Sequence, residues 1–284
     1  MKTLHFVRHG ETEQNKDGIW QGHTNTQLSK VGKAQAKHLS DRLNLKNQTV
    51  FTSDLARAKE TAYMLSDSPI VRQNLREINV GDFTGKSVKE TYSNNSDIFD
   101  ALQDDTYVFP NGEPVEEFKL RVQKEVDHIF DNIDEGSECI VVTHGFFIGT
   151  AIGLVLGFNQ YPYPIGNIQN TSVSTIIKRD SVMQVNKFND AIHLPDSYID
   201  YPTKDRSKIL TFIRHGQTDS NTQGVWQGNI DNPLNTYGVE TAKELQGKFS
   251  NYDLYLSSSF KRAFETISLI VGNKDITSTD LLAE

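Results

Sequence analysis

The sequence predicts an α/β fold with a mainly parallel central sheet and helices on both faces, followed by a partial repeat of the same fold. Short apolar segments at 3–7, 49–52 and 139–143 have the length and composition of buried strands. Amphipathic helical segments lie between them, and strands that alternate with helices favour a parallel sheet. The second observation is that the opening segment of the chain returns, in order, near the C-terminal end.

The first elements follow from local patterns. Residues 3–7 alternate as a strand does, and the corner Arg8-His9-Gly10 lies at its C-terminal end. An amphipathic helix is predicted from Lys30 to Leu45, ahead of the second strand at 49–52. Asp54 is placed to cap the next helix, whose apolar face carries Ala58, Ala62 and Leu65.

The later elements complete the first copy. Residues 87–90 form a capping box, and the strand at 139–143 ends on His144-Gly145. A long helix between them is predicted from the spacing of Val115, Phe118, Val122, Ile129 and Ile133. His9 and His144 thus both end buried strands, at the sheet edge where open α/β sheets bind ligands.

The repeat pairs LHFVRHGETEQNKDGIWQG at Leu4 with LTFIRHGQTDSNTQGVWQG at Leu210. The match continues through SDLARAKET against SSFKRAFET, and it ends with Glu77 opposite Glu284. Between the copies, PDSYIDYPTKDRSK has prolines and charges without apolar periodicity, as a linker does. We predict a complete domain at 1–195, a linker at 196–208 and a truncated repeat at 209–284.

The residues at the predicted sheet edge suit a phosphoryl group. His9 is a potential nucleophile beside the fixed cation Arg8, and Gly10 permits close approach of a ligand to the backbone. Arg57 adds a second guanidinium whose forked geometry matches phosphate oxygens, and His144 lies at the same edge. Such a site could stabilise a phosphoryl group in transfer without a metal.

Four blocks in order, LHFVRHGETEQN, SDLARAKET, LREINVGDFTGK and VVTHGFF, resemble the signature blocks of the histidine phosphatase (phosphoglycerate mutase-like) superfamily. The resemblance covers residues 1–195. It implies that His9 is the phosphorylated nucleophile and Glu77 the proton donor. It also implies a set of residues that bind the phosphoryl group or substrate: Arg8, Asn15, Gln21, Gly22, Arg57, His144 and Gly145.

The implied mechanism has two steps. His9 attacks phosphorus in line while Glu77 protonates the departing oxygen, and water then attacks the phosphohistidine with Glu77 as base. The resemblance implies no cofactor and no metal. In the second copy a vestigial anion site is expected from Arg214, His215, Asn221, Arg262 and Glu284. That copy has no counterpart of His144, so we expect it to be catalytically silent.

Two departures from the family pattern concern the substrate. Gly112-Glu113-Pro114 stands where the family often has Gly-Glu-Ser, so any role of that serine is lost. Trp20 and Trp226 stand where many members carry a basic residue. Both departures are expected on the rim of the site, and the tryptophan either packs a loop or lines the pocket mouth.

Three functions stay open. A phosphatase acting on small phosphomonoesters is favoured, because Gly18-Ile19-Trp20-Gln21-Gly22 resembles the phosphatase branch rather than the mutases. The insert supports this, since Lys89 is its one cation among eight acids: Glu90, Asp97, Asp100, Asp104, Asp105, Glu113, Glu116 and Glu117. Such a segment repels a polyanion. Phosphoglycerate mutase-type transfer and a non-catalytic phosphate-binding module are the alternatives.

Composition restricts partners and compartment. A net charge of -8 with a pI near 5.5 argues against nucleic acid. The single cysteine, Cys139, allows no intrachain disulfide, and the N-terminal segment has no apolar stretch for a signal peptide or membrane span. We therefore expect a cytoplasmic protein that does not bind membranes. Because the strand at 209–213 lacks a neighbour on one side, we expect either a homodimer through the incomplete repeat or a second copy that stays partly mobile.

Overall fold

A computed structural model of the chain describes residues 1–43, 48–94, 106–158, 167–198, 210–249 and 251–283. The chain divides into two compact units, Met1–Asp200 and Tyr201–Glu284. Among the described residues, no helix is both long and apolar enough to cross a membrane.

The first unit contains one six-stranded sheet. Its strands are β1 (Lys2–Arg8), β2 (Thr49–Thr52), β3 (Ile70–Val71), β4 (Glu138–Thr143), β5 (Val173–Arg179) and β6 (Val182–Asp190). The spatial order is β3-β2-β4-β1-β5-β6. The first four strands pair in parallel, and β5 and β6 add an antiparallel edge. The predicted α/β fold with a mainly parallel sheet is confirmed.

The described helices of this unit lie between the strands along the chain. They are α1 (Glu13–Lys16), α2 (Lys30–Arg42), α3 (Ala56–Tyr63), α4 (Val88–Asn94), α5 (Val115–Asn132) and α6 (Gly145–Val155). The long predicted helix corresponds to α5, which ends one residue before Ile133.

Successive residues of β1 face opposite sides of the sheet, and each side has its own core. Leu4 and Phe6 are fully buried in the cluster that contains the apolar faces of α5 and α6. Val7 is fully buried in the other cluster, with Leu39 of α2 and Ala58 of α3. Burying each large apolar side chain contributes about 1.5–3 kcal/mol, so both layers hold β1 in place.

Two local predictions need correction. Asp54 does not cap α3, because the residue preceding that helix is Leu55 and the Ala56 N–H at its start donates to Asn25 Oδ1 at 2.7 Å. Asp54 instead receives two hydrogen bonds from Arg76, at 2.7 and 2.5 Å, and this bidentate charged pair engages both of its carboxylate oxygens. The helix predicted to reach Leu45 ends at Arg42, and residues 44–47 lie outside the described part.

The second unit, taken by itself, is a smaller assembly. Its described elements are α7 (Asp219–Thr222), α8 (Thr236–Glu244), β7 (Tyr255–Ser258), α9 (Lys261–Val271) and β8 (Ile276–Thr279). The two strands pair in parallel, and a small apolar cluster surrounds Ile270.

The strand predicted at 209–213 is wrong for the residues that can be judged. Residues 210–213 form no strand, and Ile209 lies outside the described part. In the first unit β1 is paired by β4 on one side and β5 on the other. The described part of the second unit pairs only β7 with β8, so this segment has no ladder partner. Leu210 and Phe212 are accordingly 79% and 87% exposed.

Candidate active site

His9 follows the last residue of β1 in a tightly packed corner. The next residue must be glycine, because a Cβ on Gly10 would lie 2.5 Å from the carbonyl oxygen of Gly32 at the start of α2. The Gly10 N–H also donates to the Thr61 hydroxyl of α3 at 3.0 Å. Two helices therefore fix the backbone beside the His9 ring, which is 3% exposed.

The hydrogen bonds of His9 assign its tautomer. Its Nδ1 lies 2.7 Å from the Gly10 carbonyl oxygen, which can only accept, so Nδ1 carries the proton. Nε2 accepts a hydrogen bond from Arg57 Nε at 3.2 Å. Burial, with Arg57 and Arg8 nearby, holds the pKa of His9 well below its usual value. The ring is neutral, with the Nε2 lone pair beside a guanidinium.

Hydrogen bonds to two backbone carbonyls fix the Arg57 guanidinium. It donates to the carbonyl oxygens of Thr24 at 2.7 Å and Gly22 at 2.9 Å, and it is 1% exposed. Burial lowers its pKa to about 10, and the charge of Glu77 opposes that shift. Arg57 therefore stays a cation at neutral pH in a fixed orientation, rather than pairing with acids along its own helix.

His144 follows β4 and packs edge-on against His9, with ring centroids 5.1 Å apart. Its Nε2 lies 2.9 Å from the Ser53 hydroxyl, which fixes the ring orientation. Its Nδ1 is buried and has no hydrogen-bond partner among the described residues. Burial, followed by the charge of Arg57, holds the pKa of His144 well below its usual value. An unpartnered ring nitrogen beside His9 is a position for a ligand oxygen.

Arg8 completes the cationic side of the site. Its guanidinium donates to the Ile168 carbonyl oxygen. Gly145 lies against the same guanidinium, because a Cβ added there would be 3.5 Å from Arg8 Nε. The parallel pairing of β1 with β4 aligns Arg8 with Thr143, and this register brings the two histidine corners together.

Glu77 lies at the N-terminus of α6. Its carboxylate accepts from the N–H groups of Phe146 and Phe147, both at 3.2 Å, and from that of Ile78 at 3.1 Å. Burial raises the pKa of Glu77, although these bonds and the charges of Arg57 and Arg8 oppose the shift. A carboxyl group with a raised pKa among two arginines is suited to carry a proton to a leaving group.

Three of the predicted binding residues lie in the loop after β1, and their contacts stabilise the conformation of that loop. Asn15 Oδ1 accepts from the Thr12 N–H at 3.1 Å in a capping box at α1. Gln21 Oε1 accepts from the hydroxyls of Thr12 at 3.1 Å and Thr26 at 2.7 Å. Gly22 has a φ of +47°. The side-chain oxygens of Asn15 and Gln21 are thus used inside the loop, and the amide nitrogens are the groups that could meet an anion.

Trp20 does not lie on the rim. It is 6% exposed, stacks on Phe146 with ring centroids 6.0 Å apart and meets Phe109 edge-on at 6.5 Å. Its indole therefore supports the loop and the start of α6 rather than lining the pocket mouth. Glu113 is likewise engaged, with two hydrogen bonds from Arg121, each at 2.8 Å.

Sequence reasoning missed four supports. Ser53 orients His144 and Thr61 holds Gly10, and both lie in the block around Arg57 that the repeat preserves. That preservation was a usable signal. Asn170 donates to the His9 carbonyl at 2.8 Å from the loop before β5, where no sequence pattern pointed. His23 donates from Nε2 to the backbone carbonyl of Glu77 at 2.8 Å.

The second unit retains part of this arrangement. His215 Nδ1 lies 2.7 Å from the Gly216 carbonyl, and Arg262 donates to the carbonyls of Ile230 at 2.7 Å and Gly228 at 3.0 Å. Asn221 forms the same capping box as Asn15. Arg214 is exposed, and Glu284 lies outside the described residues. Within the described ranges of both units, no group of three or more His, Cys, Asp or Glu could hold a metal ion.

Comparison with known proteins was consistent across sequence and structure. The family model described as "Histidine phosphatase superfamily (branch 1)" matches residues 4–191 and 210–284. A metal-independent phosphoserine phosphatase of Arabidopsis thaliana is 31% identical over 199 residues, 66% of this chain and 82% of that protein. A probable phosphoglycerate mutase GpmB of Enterobacter sp. is 28% identical over 188 residues, 64% of this chain and 87% of that protein.

Two solved structures have the same architecture. Bacillus stearothermophilus YhfR superposes with a TM-score of 0.62 and 28% identity, over 68% of this chain and 99% of that one. A mutant phosphoserine phosphatase of Entamoeba histolytica in complex with phosphoserine gives a TM-score of 0.58 and 26% identity, over 69% of this chain and 100% of that one.

Proposed function

The chain belongs to the histidine phosphatase superfamily, and on that premise we propose that its first unit hydrolyses small phosphomonoesters through a phosphohistidine on His9. The observation that carries the proposal is the state of His9. The ring is neutral, and its unprotonated Nε2 accepts a hydrogen bond from Arg57 Nε at 3.2 Å. A neutral imidazole in a cationic, buried site is a nucleophile suited to a phosphate dianion.

In the first step the Nε2 lone pair of His9 forms the N–P bond while the ester P–O bond breaks. Arg8, Arg57 and the Nδ1 side of His144 surround the place where the phosphoryl oxygens gather charge. Glu77 gives its proton to the departing alcohol oxygen. In the second step the Glu77 carboxylate takes a proton from water, water oxygen attacks phosphorus, and the N–P bond breaks to release inorganic phosphate.

Phosphatase activity is favoured over mutase activity by the acidic charge of the described part of the insert. Both activities are represented in the names of the relatives. A mutase must hold a second phosphate, whereas the described part of the insert contributes exposed carboxylates from Glu90, Glu116 and Glu117. Four of the acids on which the sequence argument relied, Asp97, Asp100, Asp104 and Asp105, lie outside the described residues. Glu113 is neutralised by Arg121 and does not add to the repulsion.

The test combines turnover with trapping. The protein is assayed with an aryl phosphate and with 3-phosphoglycerate plus bisphosphoglycerate, and the reaction is quenched in alkali to preserve acid-labile phosphate. We expect phosphate release, a phosphohistidine mapped to His9 and full activity in the presence of a chelator. Transfer to phosphoglycerate that exceeds hydrolysis would establish the mutase instead. Phosphate binding with neither reaction would establish a binding module.

A further inference from the structure

The loop before β5, residues 168–172, holds the corner that carries the nucleophile. Thr171 N–H donates to the Arg8 carbonyl at 2.9 Å, and the Asn170 side chain donates to the His9 carbonyl at 2.8 Å. The Ile168 carbonyl accepts from the Arg8 guanidinium. One short loop therefore fixes the main chain of Arg8 and His9 as well as the side chain of Arg8.

The loop achieves this with a strained residue. Thr171 has a φ of +58°, in the left-handed region that favours glycine, and it is fully buried. For a β-branched residue this conformation is unfavourable, and it persists only where surrounding contacts over-determine it. The strain lies next to residues that face the proposed phosphoryl group.

His193, in the tail after β6, supplies one of those contacts. The Thr171 hydroxyl donates to the Asn170 carbonyl at 2.7 Å, so it accepts from His193 Nε2, 3.1 Å away. The other ring nitrogen, Nδ1, then accepts from Arg42 at 3.3 Å. Each polar atom in this series of hydrogen bonds therefore acts as either a donor or an acceptor, and His193 is in its neutral form.

Arg42, which ends this series of hydrogen bonds, is itself held in place. Arg42, the last residue of α2, donates to both carboxylate oxygens of Asp190, at 3.1 and 2.6 Å. Burial lowers the pKa of His193 to about 4, helped by Arg42 and opposed by Asp190. Near neutral pH the imidazole therefore stays uncharged, and its hydrogen-bond pattern persists.

We propose that His193 is a positioning residue for the reaction, because its bond to Thr171 keeps the strained turn that places Arg8 and His9. The inference rests on the proposed function, since positioning has meaning only for a site that binds or transfers phosphate. His193 lies outside the four signature blocks and has no contact with the phosphoryl group. Its effect passes through Thr171 to the backbone of Arg8.

The test uses a paired substitution. His193→Ala removes the bond to Thr171, and Thr171→Gly removes the need for it, because glycine adopts a positive φ without steric cost. We expect His193→Ala to lower kcat for an aryl phosphate at least about tenfold and to weaken binding of inorganic phosphate, as a displaced catalytic group does. Thr171→Gly in the same chain should restore kcat to within about threefold of Thr171→Gly alone.

The control is His38→Ala, since His38 packs against Tyr198 of the same tail and its described contacts do not include Thr171. We expect it to leave kcat and phosphate affinity unchanged. His193→Gln, which keeps an N–H donor for Thr171, should retain more activity than His193→Ala. Thermal unfolding is recorded for every variant.

Three results would overturn the inference. One is a His193→Ala protein with wild-type kcat and phosphate affinity. Another is a loss that Thr171→Gly does not relieve, which would indicate a general structural role. The third concerns the case in which His193→Ala does not fold. The inference then fails if the double variant, His193→Ala with Thr171→Gly, does not fold either. Binding of inorganic phosphate is measured without turnover, so a wild-type protein that binds phosphate but does not hydrolyse esters refutes the proposed function and still tests His193.

Discussion

The two units contain the same loop built from equivalent residues, in different surroundings. Thr12 and Asn15 form a capping box, and so do Thr218 and Asn221. The repeat also preserves the bonds that fix the glycine corner and the α3 or α9 arginine: Gly10 to Thr61 and Gly216 to Thr266, and Arg57 and Arg262 to paired carbonyls. The loop is therefore specified by residues that lie within the repeated segment.

What differs is the cover that later elements supply. His9 is 3% exposed, whereas His215 is only partly buried and Arg214 is exposed. Arg262 is 2% exposed, because its carbonyl partners and its helix lie within the repeated segment. A local motif thus suffices to orient the helix arginine. Burial of His9, with the pKa shift that follows, depends in the first unit on the strands and helices that come after residue 77.

The tryptophans show the same contrast. Trp20 is 6% exposed against Phe109 and Phe146, both supplied by later segments, whereas Trp226 is 96% exposed. Identical residues in matching loops therefore contribute to a core in one unit and to a surface in the other.

The strongest test of the contrast is the pair His9→Ala and His215→Ala in the full chain. We expect His9→Ala to reduce kcat by at least about a thousandfold, because the proposal gives His144 the role of contacting phosphoryl oxygens and leaves His9 as the one attacking group. His215→Ala should change kcat by less than about twofold. Steady-state kinetics on an aryl phosphate measures both. More than about a tenth of wild-type activity in His9→Ala would refute the nucleophile.

Much of the first unit was predictable, and the reason is local. The strands, the long helix and the two histidine corners follow from apolar periodicity and from where strands end. The supports from Asn170 and His193 were not predictable, because both residues lie more than 150 positions from His9 in sequence. Asn170 contacts the His9 carbonyl directly, and His193 contacts the neighbouring Thr171. Asp54 was assigned to a cap because a short acid before a helix usually caps it, and its partner Arg76 carried no matching signal.

The second test concerns proton transfer. Glu77→Gln should slow an alkyl phosphate on the order of a hundredfold or more, with a much smaller effect on an activated aryl phosphate that leaves without a proton. The same variant should lose the alkaline limb of the kcat/KM profile. The sign follows from the raised pKa of Glu77, since deprotonation as pH rises removes the acid.

The acidic side supplies the control for this test. The pKa of His9 lies well below its usual value, so the nucleophile should stay neutral through mildly acidic pH. The profile is recorded with two substrates whose phosphate groups have different pKa values. A limb of the profile that moves with the substrate pKa reports ionisation of the substrate and not of the enzyme. Equal losses for alkyl and aryl esters would remove Glu77 from the acid role.

A third test compares how much each tryptophan contributes to the free energy of unfolding. Trp20→Ala should lower the free energy of unfolding of its unit by about 3–5 kcal/mol, as expected for a large buried aromatic side chain. Trp226→Ala should lie within about 0.5 kcal/mol of the parent. Denaturant unfolding followed by far-ultraviolet circular dichroism, a signal that both variants keep, separates the two. Similar changes at both positions would mean that Trp226 is covered in solution.

The smallest expected effect on turnover comes from removing the second unit. The first unit, Met1–Asp200, has both core layers and every residue of the proposed site, so a chain ending at Asp200 should keep kcat within about twofold. Association should change instead. We propose that Leu210 and Phe212, both largely exposed, join two copies of the full chain.

Sedimentation velocity therefore distinguishes the two lengths of chain, with the full chain forming a dimer at micromolar concentration and the shorter one staying monomeric. Phe212→Asp in the full chain is the matched variant, because a charge at this apolar position opposes burial between copies without touching the first unit. It should give monomers with unchanged turnover. A shortened chain that folds but is inactive would place part of the working site in the second unit, and the contrast between a covered and an uncovered copy would then fail.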